Sequence, residues 1–197
     1  MKDAKPPRLI LASASPRRLE LLRQIGIVPD AVVPPRLDES ARARELPPEH
    51  ARRLAEAKAR AVAGDFPGDF VLAADTVVAC GRRILPKALD EATARRCLTL
   101  LSGRRHRVIG AVTLLAPGGR RGERLVTTSV ALKRLSAREI DAYLAAGEWL
   151  DKAGGYAIQG RAAAFVRALS GSYSNVVGLP LYETAALLAG FGYGGVR

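Results

Sequence analysis

Hydrophobic and polar positions along this chain alternate between strand-like runs and helix-like stripes. Arg8 to Ser13 reads as a short buried strand around Leu9-Ile10-Leu11-Ala12. Ser15 is a good helix N-cap, Pro16 suits the first helical position, and Leu19, Leu21, Leu22 and Ile25 give an apolar face that Gly26 closes. Residues 30–34 are short and extended. Pro47 to Ala63 is a helix with Leu54, Ala57, Ala61 and Val62 towards one side. Phe70 to Cys80 is apolar and β-rich, interrupted by Asp75-Thr76. Asp90 caps a helix that Ser102-Gly103 ends. Arg107 to Leu115 and Arg124 to Leu135, joined through Pro117-Gly118-Gly119, form a hairpin signature. Ser136 and Glu139 make a capping box for a helix to about Ala146. Ala163 to Ala168 is a further strand, and Leu179 to Ala189 the last helix. The pattern predicts one α/β domain over 1–197, a mixed twisted sheet with flanking helices, with a flexible lead at 1–7.

Composition narrows the class. With 197 residues, 48% hydrophobic and 25% charged, the chain is an ordinary globular protein. No apolar stretch reaches the ~18–20 residues that span a bilayer, and the charged start is followed by no signal-peptide core. The expected compartment is the cytoplasm, with no membrane partner. Cys80 and Cys97 stand alone, which argues against a disulfide framework or a zinc site. The net charge of +12 is nearly all arginine and is spread along the chain. No basic block reaches ~5–8 residues, so the charge reads as partly a coding bias and partly a preference for anionic ligands, with a nucleic-acid partner left open.

The candidate chemistry is concentrated at a few points. Arg17 and Arg18 lie in the first turn of a helix, where backbone N–H groups already favour an anion and acids are the usual choice. Two cations there suit a multiply negative ligand such as phosphate, or equally are a solvated surface pair in an arginine-rich chain. Asp75 stands where an apolar strand should emerge, and an acid in such a run needs a partner, a metal or a function. Asp38-Glu39, alone a loop or cap, could join Asp75 in a carboxylate site for Mg²⁺ or Mn²⁺. By position alone Lys58 reads as solvent-exposed, Lys87 as a weak signal, and His106 as a capping or surface residue. Asp151 to Gly160 is a loop whose glycines permit close approach to a ligand or simply make turns.

Taken in order, these segments resemble the Maf family of nucleoside triphosphate pyrophosphatases from about Leu9 to Leu188. The matching stretches are Leu11 to Arg18, Leu37-Asp38-Glu39, Arg53 to Ala59, Ala74 to Val78, Leu101-Ser102-Gly103 with His106, Asp151 to Gly160, and Gly171 to Leu181. The resemblance implies a fold akin to the inosine triphosphate pyrophosphatases, with a cleft between two lobes. It implies hydrolysis of a nucleoside triphosphate to monophosphate and pyrophosphate, with a divalent metal, and suggests a homodimer. Asp75 matches the catalytic acid and Glu39 the second acidic residue, the pair that would hold the metal. Whether Asp75 is base or ligand stays open. Ser13, Arg18, Lys58 and Lys87 match positions associated with the phosphate chain. Arg17, Thr76 and Gln159 agree with the dTTP/UTP branch, where the 7-methyl-GTP branch carries Trp, Gln and Glu; a modified pyrimidine would present the same edge. The family has Gly-Lys-Pro where this chain has Pro86-Lys87-Ala88. The competing expectation is a protein that binds nucleic acid or a division partner in septum inhibition, without turnover.

Overall fold

In the computed structural model, which describes residues 6–195, the chain builds one mixed sheet with a separate two-stranded ladder beside it. The expected flexible lead falls mostly at 1–5, outside the described residues. Strand β1 (Leu9–Ala12) is buried throughout and runs parallel to β2 (Ala31–Val32) and to β3 (Phe70–Cys80). β3 pairs antiparallel with β4 (Arg83–Leu85) and with β6 (Arg105–Leu115). Beyond β6 lie β7 (Arg121–Leu132) and β9 (Val166–Ser170), each antiparallel to its neighbour. A separate two-residue ladder joins β5 (Lys87–Ala88) to β8 (Lys152–Ala153).

Alternation along β3 sets the layers. Val71, Ala73, Val77 and Ala79 pack on helix α2 (Pro47–Ala63), together with Ile10, Ala12, Ile109 and Ala111. On the other face, Phe70, Leu72 and Ala74 pack with Leu21 and Leu22 of α1 (Pro16–Gln24) and with Leu187 and Leu188 of α6 (Leu181–Gly190). Further along that face, Val78, Val108, Val130 and Leu132 pack under α3 (Glu91–Leu101) and α4 (Ala137–Ala145). Thr76 falls between these two clusters and belongs to neither.

Several sequence expectations are corrected. Asp75 does not emerge from the strand: β3 continues to Cys80, and Asp75 pairs with Ala111 in mid-sheet. The stripe of α2 that is buried is Ala51, Leu54, Ala55, Lys58, Ala59 and Val62, whereas Ala61 is exposed and Ala57 only half-buried. Of the hairpin strands, the first begins earlier, at 105, and ends at Leu115 as expected; the second runs 121–132 instead of 124–135, its earlier start arising because the charged run after Gly119 pairs across the turn, Leu115 with Arg121. The strand expected at 163–168 lies at 166–170, preceded by a 3₁₀ turn over Arg161–Phe165. β5, β8 and the one-turn α5 (Tyr173–Val177) are too short to show a period.

Candidate active site

The register of β3 places the site. Its edge is paired with β1 up to Ala73 and with β4 from Val78. Ala74 to Val77 has no strand neighbour on that side, and a cleft partly open to solvent lies there. Ser13, Arg17, Arg18, Glu39, Lys58, Asp75, Thr76, Lys87 and Gln159, all nine sequence candidates, line it. They come from six stretches far apart in sequence.

On the α2 side of the sheet, Lys58 Nζ donates to Asp75 Oδ1 at 2.7 Å and lies 2.9 Å from Glu39 Oε1. Lys58 is 4% exposed and Asp75 5%, so the solvent-exposed reading of Lys58 is wrong. An ammonium in the apolar stripe of α2 is tolerated because two carboxylates meet it. Glu39 also accepts from Lys87 Nζ at 3.0 Å. Burial works to raise the Glu39 carboxyl, but the hydrogen bonds and charges of Lys58 and Lys87 outweigh it and hold it at about 2. Glu39 sits on an irregular segment that α2 clamps. Arg53 donates to Glu45 Oε1 and Oε2 and to the Ser40 carbonyl, and His50 Nδ1 lies 2.8 Å from Glu45. Asp38 closes a turn on Ser40 and stays exposed.

On the opposite face, Arg18 is the hub. Nε donates to the Gly178 carbonyl at 2.9 Å, Nη1 to Ser13 Oγ at 3.3 Å and Nη2 to Thr76 Oγ1 at 3.2 Å. All three acceptors are neutral, and neither Arg17 nor Arg18 forms an ion pair among the described residues. Burial pulls both guanidinium pKa values down, although an arginine stays charged at any ordinary pH. Ser15 is the N-cap of α1 but makes no side-chain cap bond; its own N–H goes to Ser13 Oγ at 3.1 Å. Thr76, grouped with Arg17 and Gln159 by the sequence, uses its hydroxyl on Arg18 and on the Gly178 carbonyl at 3.3 Å.

The far wall is the segment 151–160. Asp151 (φ 56°) approaches Lys87 Nζ at 4.0 Å, and Ala153 pairs with Lys87. The changed setting of Lys87 is thus a short ladder, in which the Pro86 carbonyl accepts from Gly154 N at 3.1 Å. Gly154 (φ 71°) lies flat on Val78, where a Cβ would come within 2.8 Å. Gln159 is exposed at the end of this segment. His106 is not on the surface: it is 2% exposed and its Nε2 is hydrogen-bonded to Tyr156 Oη at 2.7 Å. Sequence reading missed Tyr156, Asp151, Lys152 and Gly178 as individual cleft residues, although all lie in its matched stretches.

Five cationic side chains (Arg17, Arg18, Lys58, Lys87, Lys152) face three acids (Glu39, Asp75, Asp151) in the cleft. That excess suits a polyanion. No three His, Cys, Asp or Glu side chains are grouped as a metal cage among the described residues. The donor set still fits a hard cation shared with a ligand: Asp75 Oδ2 accepts no hydrogen bond among the described residues, while Oδ1 is held by Lys58. Magnesium is commonly bound by one or two carboxylates plus substrate phosphates and water.

The model of the family described as Maf-like protein matches residues 8–191. The chain belongs to the Maf-like family. A dTTP/UTP pyrophosphatase of Paramagnetospirillum magneticum is 70% identical over 185 residues, covering 94% of this chain and 97% of that protein. A dTTP/UTP pyrophosphatase of Caulobacter vibrioides is 60% identical over 190 residues, covering 96% and 98%. Among solved structures, a HAM1 protein from Coxiella burnetii has a TM-score of 0.50 at 16% identity, covering 93% of this chain and 99% of its own. That likeness concerns the fold alone, and it agrees with the expected α/β architecture. No described helix of this Maf-like chain is long and apolar enough to cross a membrane.

Proposed function

We propose that this Maf-like protein hydrolyses dTTP and UTP to the nucleoside monophosphate and pyrophosphate. The observation that carries the reading is the convergence of four cations, Arg17, Arg18, Lys58 and Lys87, around Asp75 in one cleft. Relatives at 60–70% identity that bear the name dTTP/UTP pyrophosphatase support the choice of substrate.

Ser13 Oγ, Arg18, Lys58 and Lys87 bind the phosphate chain and stabilise the charge that collects on departing pyrophosphate. Asp75 orients the attacking water through Oδ2, the oxygen that Lys58 leaves free; that oxygen either takes the water's proton or is the ligand to the cation, not both. The water oxygen bonds to phosphorus as the anhydride bond to the bridging oxygen breaks, and pyrophosphate leaves. Lys58 holds Asp75 in place for this task through the 2.7 Å contact with Oδ1. Asp75 and Glu39 would hold the divalent cation, Mg²⁺ or Mn²⁺, which when bound supplies positive charge to the phosphate oxygens. At the other end of the cleft, the neutral Gln159 amide offers one acceptor and one donor to the N3–H and 4-carbonyl edge of thymine or uracil. Arg17 lines the same cleft, and Thr76 acts through Arg18.

Binding without turnover is the weaker reading. A site that only held a polyanion would gain nothing from a buried Asp75 and a half-buried Glu39. The reading puts the enzyme in the cytoplasm, with its nucleotide substrates, and takes the dimer from the family resemblance. Pyrophosphate release with Mg²⁺ or Mn²⁺ from dTTP, UTP, CTP, GTP, ATP and 7-methyl-GTP tests it. Preferred turnover of dTTP and UTP is expected. Silence across the panel from folded, metal-supplied protein overturns it.

A further inference from the structure

On β6, His106 lies on the same face as Val108, beside Val130 of β7, in a row where an apolar side chain would pack without penalty. An imidazole there has a cost, because its Nδ1 is buried and makes no hydrogen bond among the described residues. Burial also pulls its pKa down to about 4, so the ring is neutral at neutral pH. What the imidazole gains is the 2.7 Å bond to Tyr156 Oη, with the two rings edge-on at 5.5 Å.

Tyr156 lies in the middle of the segment 151–160. Before it, Ala153 pairs with Lys87, and Asp151 N donates to the Ala88 carbonyl at 2.9 Å. After it, Ala157 N donates to Tyr143 Oη at 3.0 Å, and Gln159 follows. One segment therefore fixes both the lysine at the phosphate end and the amide at the base end. We propose that His106 is a positioning residue: through Tyr156 it holds the segment 151–160 on the sheet, and with it the placement of Lys87 and Gln159. This inference rests on the proposed dTTP/UTP activity for its kinetic effect.

The test compares Tyr156→Phe, which keeps the ring and removes the hydroxyl, with His106→Phe, His106→Gln and the Tyr156→Phe/His106→Phe double variant. The expected result is a KM for dTTP raised about five- to tenfold in each Phe variant, matching the loss of one buried hydrogen bond. The preference for dTTP over CTP falls alongside it, while kcat stays within about threefold. The double variant is no worse than either single one, because both remove the same bond. His106→Gln, which can still reach the hydroxyl, restores part of the loss. Amides of 152–160 exchange faster in the Phe variants than in the wild type. A folded Tyr156→Phe with wild-type KM, selectivity and exchange overturns the inference, as does a lowered Tm with all three unchanged. If the wild-type protein turns over no triphosphate, the functional reading fails and amide exchange alone decides the anchor.

Discussion

Lys58 Nζ stands between two carboxylates, 2.7 Å from Asp75 Oδ1 and 2.9 Å from Glu39 Oε1. Asp75 belongs to a central strand, Lys58 to the helix beneath it, and Glu39 to an irregular segment, so one ammonium ties three elements together in the cleft. Removing it leaves two acids facing each other with Lys87 as the remaining partner of Glu39. Lys58→Met is expected to cost about 3–5 kcal/mol, the usual penalty for stranding a buried charge, and to abolish turnover. Asp75→Asn keeps an acceptor for Lys58 and leaves Glu39 paired. It should lose activity by orders of magnitude with a much smaller drop in Tm. Thermal unfolding and pyrophosphate release on the two variants separate these effects; a Tm ranking in the opposite order would show that the pair does not hold the elements together.

The same residue shows what a sequence can and cannot carry. Asp75 was legible because an acid in an apolar strand breaks the pattern within a few residues. Lys58 was misread because the stripe Ala51, Leu54, Ala55, Ala59, Val62 is made largely of small alanines, which mark a buried face weakly, so the lysine looked solvated. His106, Tyr156 and Gly178 act through partners 50 or more positions away, Arg18 with Gly178 across 160. No local periodicity reports such pairs. The strands, the long helices and their caps were readable because their signals are local; the cleft was not, since it arises where β1 stops and β4 begins along one strand edge.

Arg18→Lys tests the hub on the other face. A lysine cannot give three directed donors to Gly178, Ser13 and Thr76 at once. The expected outcome is a KM for dTTP raised about tenfold or more with charge conserved. Steady-state kinetics at fixed metal concentration measure it. An unchanged KM would mean that Arg18 serves only the packing of α1 on α5.

Gln159→Glu should act on selectivity and not on stability, because the side chain is exposed at the cleft end. A carboxylate offers acceptors only and meets the uracil N3–H but repels its carbonyl. The ratio of kcat/KM for dTTP over GTP should fall at least about tenfold. An unchanged substrate profile removes Gln159 from base recognition.

Stability should fall with acid through His106. Its pKa is lowered from 6.5 to about 4 by burial, so between those values the unfolded chain binds a proton that the folded chain refuses. Stability therefore drops as pH falls from about 6.5 towards 4, by up to about 3 kcal/mol for this one group. His106→Phe removes the titration and should flatten that part of the pH–stability curve. Urea midpoints at pH 7, 5.5 and 4.5 for both proteins decide it, and parallel curves would show that other groups carry the acid sensitivity.

Gly110 links the core to the cleft. A Cβ at this position would lie 1.9 Å from Asn175 Oδ1. Asn175 is fully buried, with its Nδ2 donating to the Val108 carbonyl at 3.1 Å and to Thr128 Oγ1 at 3.0 Å. It cannot retreat without giving up those bonds, so Gly110→Ala must push α5 off the sheet. The carbonyl of Gly178, which caps α5 and accepts from Arg18 Nε, moves with it. Gly110→Ala is expected to cost about 1–3 kcal/mol by overpacking and, in the folded fraction, to raise the KM for dTTP as Arg18→Lys does. Combining Gly110→Ala with Asn175→Ala relieves the clash. That double variant should recover part of the KM even though the buried hydrogen bonds are gone. A KM that stays raised after the clash is relieved would place the effect in the strand itself and not in the path from Asn175 to Arg18.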